Sequence, residues 1–324
     1  MIRRAKWTDL APIRRMAESL AYLDIERLYT QGTQGVKQII AGAVGLLDLT
    51  TTIVWHREGE PPTAFAQLAK DSSGNNASVS CLGPNQAYLW PDAATSLLEG
   101  LVVEAGLCGS RNVTADVNEG KAAFTSLRKA GFVVYARQLV YGELDSSIKN
   151  RSKHNSKVSV TKCIPQDRAE IYKLYNNIVP ALVKQVEGVP VDIGSGFVIR
   201  RDGTLAGIIG VNEGPKGIWV KPYLYPEVGI EIGYALADFV LFDVSRAEKP
   251  AYISSRSYQP WLRGILEDTG FALLSKQAVM VKRTAVRIDM PIFKSTPGLV
   301  ASDSDTSIPV SETKTQDVFV GKIR

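Results

Sequence analysis

The chain has 324 residues, 45 % of them hydrophobic and 22 % charged, with a mean hydropathy of -0.03. That length predicts two domains, each large enough for its own core, and the best apolar run, Ile39 to Leu47, stops at Asp48, short of the ~18 residues of a membrane span. The net charge of +5 is mild, and the densest basic run, Lys149 to Lys157, has no aromatic residue to stack on bases, so nucleic acid is not expected as a partner and the run reads as a linker.

Three cysteines (Cys81, Cys108, Cys163) without CxxC spacing argue against a disulfide framework and a zinc site. Only two histidines exist, His56 and His154, which leaves little for metal catalysis through imidazole. No apolar segment follows the basic Met1–Lys6, so no secretory leader and no membrane attachment are expected, and a cytoplasmic location fits.

In chain order, a short strand at Ile2–Ala5 leads through Thr8-Asp9 into a helix to about Leu20, with more helical sequence to about Val44. Strands are expected at Thr50–His56, Thr63–Lys70 and Ser78–Leu82, then a helix at Ala93–Leu107 with Leu97, Leu101 and Ala105 spaced by four. Val113–Val117 reads as a strand, Lys121–Lys129 as a helix and Phe132–Tyr141 as a strand. After the basic run the same order returns. A strand at Val158–Thr161 precedes a helix from Pro165 to about Val186, a hairpin at Phe197–Arg201 and Leu205–Val211, and a strand at Ile218–Leu224. A helix at Ile230–Val244, a strand at Ala251–Ser255, a helix at Pro260–Asp268 and a strand at Phe271–Val281 complete it.

Residues 1–145 and 158–288 are therefore expected to be two α/β (α+β) domains, each with a mixed, mostly antiparallel central sheet flanked by helices. A linker at 146–157 joins them, and a tail at 289–324, rich in Ser, Thr, Asp and Pro, is expected to lack fixed structure. The ends of the two halves align. Leu127-Arg128-Lys129-Ala130-Gly131-Phe132 matches Leu266-Glu267-Asp268-Thr269-Gly270-Phe271, each with glycine where a helix closes in a left-handed residue. The following strands align too, Tyr135–Val140 against Leu274–Val279.

This helix-Gly-Phe-strand ending resembles the GNAT acyltransferase family, twice in one chain, and the opening Ile2-Arg3-Arg4-Ala5 with Asp9-Leu10 resembles that family's first strand and helix. The resemblance implies acetyl-CoA as acyl-donor substrate, no metal, and a small-molecule or peptide amine as acceptor. It also implies that the fourth and fifth strands splay into a V that holds the donor, with its pyrophosphate on N–H groups at the start of the third helix. By that resemblance Tyr225, Val228, Gly229 and Gly233 are the cofactor-binding candidates. Catalytic candidates are Tyr258, as acid to the departing thiolate, and Asp116, a carboxylate flanked by Ala115 and Val117 on a core strand that could act as a base when desolvated.

The sequence departs from the family pattern at several places. Before the third helix of the first half stand bulky Tyr88, Leu89 and Trp90 and the acidic Asp92, where small residues would let backbone approach phosphate. In the second half Glu227 and Glu231 flank Gly229 and Gly233, and helix-end charges of that kind weigh ~0.3–1 kcal/mol each. The position of the family's acid tyrosine, four before the glycine, is Leu127 in one half and Leu266 in the other. Three readings stay open: an N-acyltransferase, a non-catalytic module that binds a ligand or partner, and a split arrangement in which the second half is active. Trp219, Lys221 and Tyr223 alternate onto one face of their strand, which could line a ligand site.

Overall fold

The computed structural model describes residues 1–32, 50–71, 75–85, 91–143, 158–189, 196–226, 229–244 and 249–284. The expected linker at 146–157 and tail at 289–324 lie outside the described residues. The first half contains β1 (Ile2–Arg4), α1 (Leu10–Met16), β2 (Ala21–Tyr22), α2 (Ile25–Gln31), β3 (Thr50–Trp55), β4 (Ala64–Lys70), β5 (Asn76–Gly83), α3 (Pro91–Leu107), β6 (Asn112–Val117), α4 (Ala122–Lys129) and β7 (Val133–Glu143). The second contains β8 (Val158–Lys162), α5 (Arg168–Ile178), α6 (Ala181–Val186), β9 (Phe197–Arg201), β10 (Thr204–Glu213), β11 (Ile218–Leu224), α7 (Gly229–Phe239), β12 (Ala251–Arg256), α8 (Leu262–Asp268) and β13 (Phe271–Arg283).

The helices after the first strand of each half are shorter than their sequences predict. The expected helix to Leu20 ends at Met16, and Ala21-Tyr22 forms a strand on β5. The expected helix to Val186 breaks into α5 and α6 because Pro180 forces the preceding Val179 into extended backbone (φ -88, ψ 127). Both helices are entered the same way. Asp9 is buried, accepts the Lys6 N–H at 2.7 Å and pairs with Arg3 at 2.5 and 2.8 Å. Asp167 is likewise buried, accepts the Ile164 N–H at 3.0 Å and pairs with Arg200 at 2.6 Å. Each carboxylate thus fixes a turn and anchors it to a strand. The two predicted closing glycines do adopt left-handed backbone, Gly131 at φ +82 and Gly270 at φ +94.

One sheet of thirteen described strands runs in the order β1-β3-β4-β5-β6-β13-β7-β12-β11-β10-β9-β8, with β2 on β5. The last strand of each half crosses to the other: β13 pairs with β6, β7 pairs with β12, and the two pair antiparallel with each other. Gln138 and Gln277, matched positions of the aligned halves, stand opposite one another in that central pair. Side chains follow the exchange. Phe132, just before β7, and Val134 pack in the first-half core, and β7 ends with Leu139 and Tyr141 in the second-half core, while β13 runs from Phe271 and Leu273 to Ala278 and Met280 in the opposite sense. Each fully buried large apolar side chain contributes ~1.5–3 kcal/mol, so Tyr141 and Met280, both 0 % exposed, hold the halves together.

Candidate functional site

Among the described strands two neighbouring pairs are parallel, β5 with β6 and β11 with β12. Each pair is in register over three positions, Asn76–Ser78 with Asn112–Thr114 and Ile218–Val220 with Ala251–Ile253, after which the strands part. Two V-shaped gaps result, one per half. A splayed pair leaves backbone donors and acceptors that must find other partners, and the two gaps are satisfied differently.

In the first gap the chain's own backbone fills the space. Leu23 donates its N–H to Ser80 O at 3.0 Å, at a bulge in β5, and accepts the Asp116 N–H at 2.7 Å. In the second gap a side chain does this work: the buried Gln259 carboxamide accepts the Leu224 N–H at 3.3 Å and donates to Pro222 O at 2.9 Å.

Between the gaps, on one face of the sheet, lies a cavity of ≈ 200 Å³ lined by residues of both halves. Its wall carries Asp24, Glu26, Asp116 and Glu187 against Lys221 and Arg256, together with Ser78, Thr114 and Tyr135. A second cavity of ≈ 270 Å³ adjoins it, sharing Asp24, Glu26, Asn76, Ser78 and Thr114.

Most of these charges are committed. Asp24 caps α2 by accepting the Arg27 N–H at 3.0 Å and accepts the Ser78 hydroxyl at 2.6 Å. Glu26 pairs with Lys221 at 2.5 Å and accepts from the Asn212 amide at 2.9 Å. Burial alone would raise the Glu26 carboxyl, but Lys221 and Asn212 hold it below its ordinary value. Burial likewise pulls the Lys221 ammonium down, and the Glu26 and Glu187 carboxylates more than reverse that. Glu187 Oε1 accepts from Arg256 Nη2 and from the Tyr135 hydroxyl, both at 2.6 Å. Burial and the Glu187 charge push the Tyr135 phenol well above its ordinary value, so it keeps its proton. Burial opposes the Arg256 charge, yet Glu187 raises its pKa overall.

Asp116 differs from the rest. Among the described residues its carboxylate accepts only the Ile25 N–H, at 3.4 Å. Burial raises it to about 7, the Asp24 charge adds to the rise, and Arg256 and Lys221 oppose it. At neutral pH it is therefore balanced between acid and base.

The other candidates lie elsewhere. Tyr258 follows β12 in the turn next to Gln259 and packs against the buried cluster that holds Tyr175 and Tyr223; it is not among the residues lining the cavity with Asp116. Burial raises its phenol, so it too stays protonated. Tyr225 takes the Asn177 amide on its hydroxyl at 2.7 Å. Gly229 opens α7, and Gly233 is buried against α8, where a Cβ would stand 2.6 Å from Ile265 Cδ1; its smallness serves helix packing. Val228, Glu227 and Tyr88–Trp90 lie outside the described residues, and Glu231 pairs with Arg201 at 3.4 Å. Leu127 and Leu266 are fully buried core residues.

Of Trp219, Lys221 and Tyr223, Lys221 lines the cavity, while both aromatics are buried in the core and are not among its lining residues. Sequence reasoning did not single out Glu26, Tyr135, Glu187 or Arg256. The available signal was polarity inside a core strand: Ser254-Ser255-Arg256 follows Ile253, and all four are buried. Among the described residues no group of three or more His, Cys, Asp or Glu could hold a metal ion, and no helix is long and apolar enough to cross a membrane.

Neither a family model nor a curated protein matches the sequence. Solved structures do. A GCN5-related glucosamine N-acetyltransferase region of a fungal multi-domain GH3 beta-N-acetylglucosaminidase superposes with a TM-score of 0.51 at 12 % identity, over 87 % of this chain and 38 % of that one. A GCN5-related N-acetyltransferase from Sphaerobacter thermophilus gives 0.49 at 13 % identity, over 90 % and 97 %. A tandem GNAT protein from the clavulanic acid biosynthesis pathway gives 0.47 at 15 %, over 77 % and 89 %. At such identities the likeness is one of fold: a mostly antiparallel GNAT-type sheet flanked by helices.

Proposed function

We propose that the chain is a GNAT-type N-acyltransferase that moves an acetyl group from acetyl-CoA to a small-molecule or peptide amine held in the cavity between the halves. The observation that carries this reading is Asp116, a carboxyl raised to about 7 in a polar cavity beside two splayed strand pairs. An amine reaches the site as an ammonium and must lose a proton before it attacks. A base titrating near the working pH is the efficient partner for that step. The amine nitrogen then bonds to the thioester carbonyl carbon as the C–S bond breaks; Asp116 keeps the proton taken from the ammonium, and the second proton lost by nitrogen goes to the departing sulfur, which leaves as the thiol. Tyr258, protonated at neutral pH, is the group we assign to that sulfur as hydrogen-bond donor.

The second gap is the donor site in this reading. Its backbone edges are covered by one side chain, Gln259, which can turn aside by rotation. Opening the first gap means displacing the main chain at Leu23 from Ser80 and Asp116. The test is an acetyl-transfer assay over an amine panel. Turnover should rise with pH through about 7 on one ionisation, and Asp116→Asn should remove that limb and lower kcat by about 10²–10⁴-fold. Unchanged turnover in that variant rules Asp116 out as the base.

One observation favours a second reading, a ligand-binding protein without catalysis: both gaps are already bridged by the chain's own groups. Saturable amine binding with no acetyl-CoA binding would support it.

A further inference from the structure

The cavity wall leaves two charged groups uncommitted among the described residues, and they are of opposite sign. One is the Asp116 carboxylate, with its single 3.4 Å contact. The other is Arg256 Nη1, which is buried and has no hydrogen-bond partner although Nη2 of the same side chain is held by Glu187. The Arg256 side chain is only 7 % exposed, so water does not generally solvate the idle nitrogen. A buried guanidinium donor without an acceptor is costly, and native sites of this kind normally receive one. Lys221 is already paired with Glu26, which offsets its charge.

We propose that the acceptor is a free amino acid, or another small aminocarboxylate, with its amine at Asp116 and its carboxylate on Arg256 Nη1. The inference rests on the acyltransferase reading for the acceptor's role, while the ligand class follows from the two idle charges alone. Size agrees. The ≈ 200 Å³ cavity suits a molecule of amino-acid dimensions. The adjoining ≈ 270 Å³ cavity, walled by Asp24, Glu26 and Asn76, offers space for a polar side chain. Arg256 supplies a planar guanidinium donor that suits a carboxylate, and its bond to Glu187, which also accepts the Tyr135 hydroxyl, keeps it in place before ligand arrives.

The test is calorimetric binding to the full chain without any acyl donor, so that failure of the transfer chemistry cannot mask the result. The probes are L-alanine, L-serine and L-lysine against ethylamine, ethanolamine and cadaverine, which lack only the carboxylate. A charge-assisted hydrogen bond to a buried partner predicts about a ten- to hundredfold preference for at least one amino acid over its amine. Arg256→Gln should erase the preference while sparing amine binding. An amine that binds as tightly as its amino acid, or no binding by any of the six, overturns the proposal. If Arg256→Gln does not fold, the comparison of the paired ligands on the parent chain decides alone. Acetyl transfer to the plain amines with no preference for amino acids would keep the acyltransferase reading and refute this one.

Discussion

Replacing Asp116 by Asn changes stability as well as turnover, and the direction follows from its environment. The carboxyl moves from an ordinary value of 3.8 to about 7 on folding, burial being the first cause. Between those values the folded chain holds a proton that the unfolded chain has released, so stability falls as pH rises across the window and is lowest, for this group, above pH 7. Each unit is worth about 1.36 kcal/mol. Three units would be about 4 kcal/mol, and because Asp116 is only half-buried we take roughly 2–4 kcal/mol. Asn cannot ionise and keeps an oxygen for the Ile25 N–H. Asp116→Asn should therefore equal the parent at pH 4 and exceed it at pH 8. At about 2 °C per kcal/mol for a chain of this size, the gain in Tm is roughly 4–8 °C. Thermal unfolding of both proteins by circular dichroism from pH 4 to pH 8 measures it. A variant no more stable than the parent at pH 8, or a difference that does not change with pH, refutes the burial argument and removes the support for Asp116 as a base.

Three other substitutions probe the same architecture. Glu187→Ala strands the Arg256 guanidinium and the Tyr135 hydroxyl together, so about 3 kcal/mol should be lost in urea unfolding, and Glu187→Leu with Arg256→Met should recover most of it; a single variant within ~0.5 kcal/mol of the parent contradicts that. Tyr258→Phe should lower kcat about 10²-fold with donor affinity unchanged, and full turnover in that variant takes Tyr258 out of the mechanism. Gln259→Ala frees the Leu224 N–H and Pro222 O for a ligand, and at ~0.5–1.5 kcal/mol per hydrogen bond acetyl-CoA should bind about fivefold tighter; unaltered binding would mean that the donor does not use the second gap.

The elements of the fold were legible because their signals are local. Gly131-Phe132 and Gly270-Phe271 announce a helix end and a strand, and both glycines need the left-handed backbone they were assigned. Alternating apolar residues in Phe271–Arg283 likewise announce a strand, but alternation is blind to partners. Nothing in that run says that Ala278 and Met280 pack in the first half's core while Phe271 packs in the second's. The site was legible only where one residue broke its own pattern, as Asp116 does between Ala115 and Val117. Its neighbours in the cavity wall come from seven other elements far apart in sequence: α2, β5, β7, α6, β11, β12 and β13. Glu187 closes a short helix and Arg256 ends a strand, and each looks solvated until Tyr135 and the strand exchange bring them together. Gly233 marks a different limit, since a small residue needed for close helix packing, as Ile265 requires here, and one needed for phosphate approach look alike in sequence.

The most direct test of the whole account is calorimetric titration of the chain with acetyl-CoA at moderate salt. The second gap, covered among the described residues by Gln259, predicts saturable binding in the micromolar range with one site per chain. Two sites would mean that the Leu23 segment leaves the first gap, and no binding up to millimolar donor would contradict the acyltransferase reading itself.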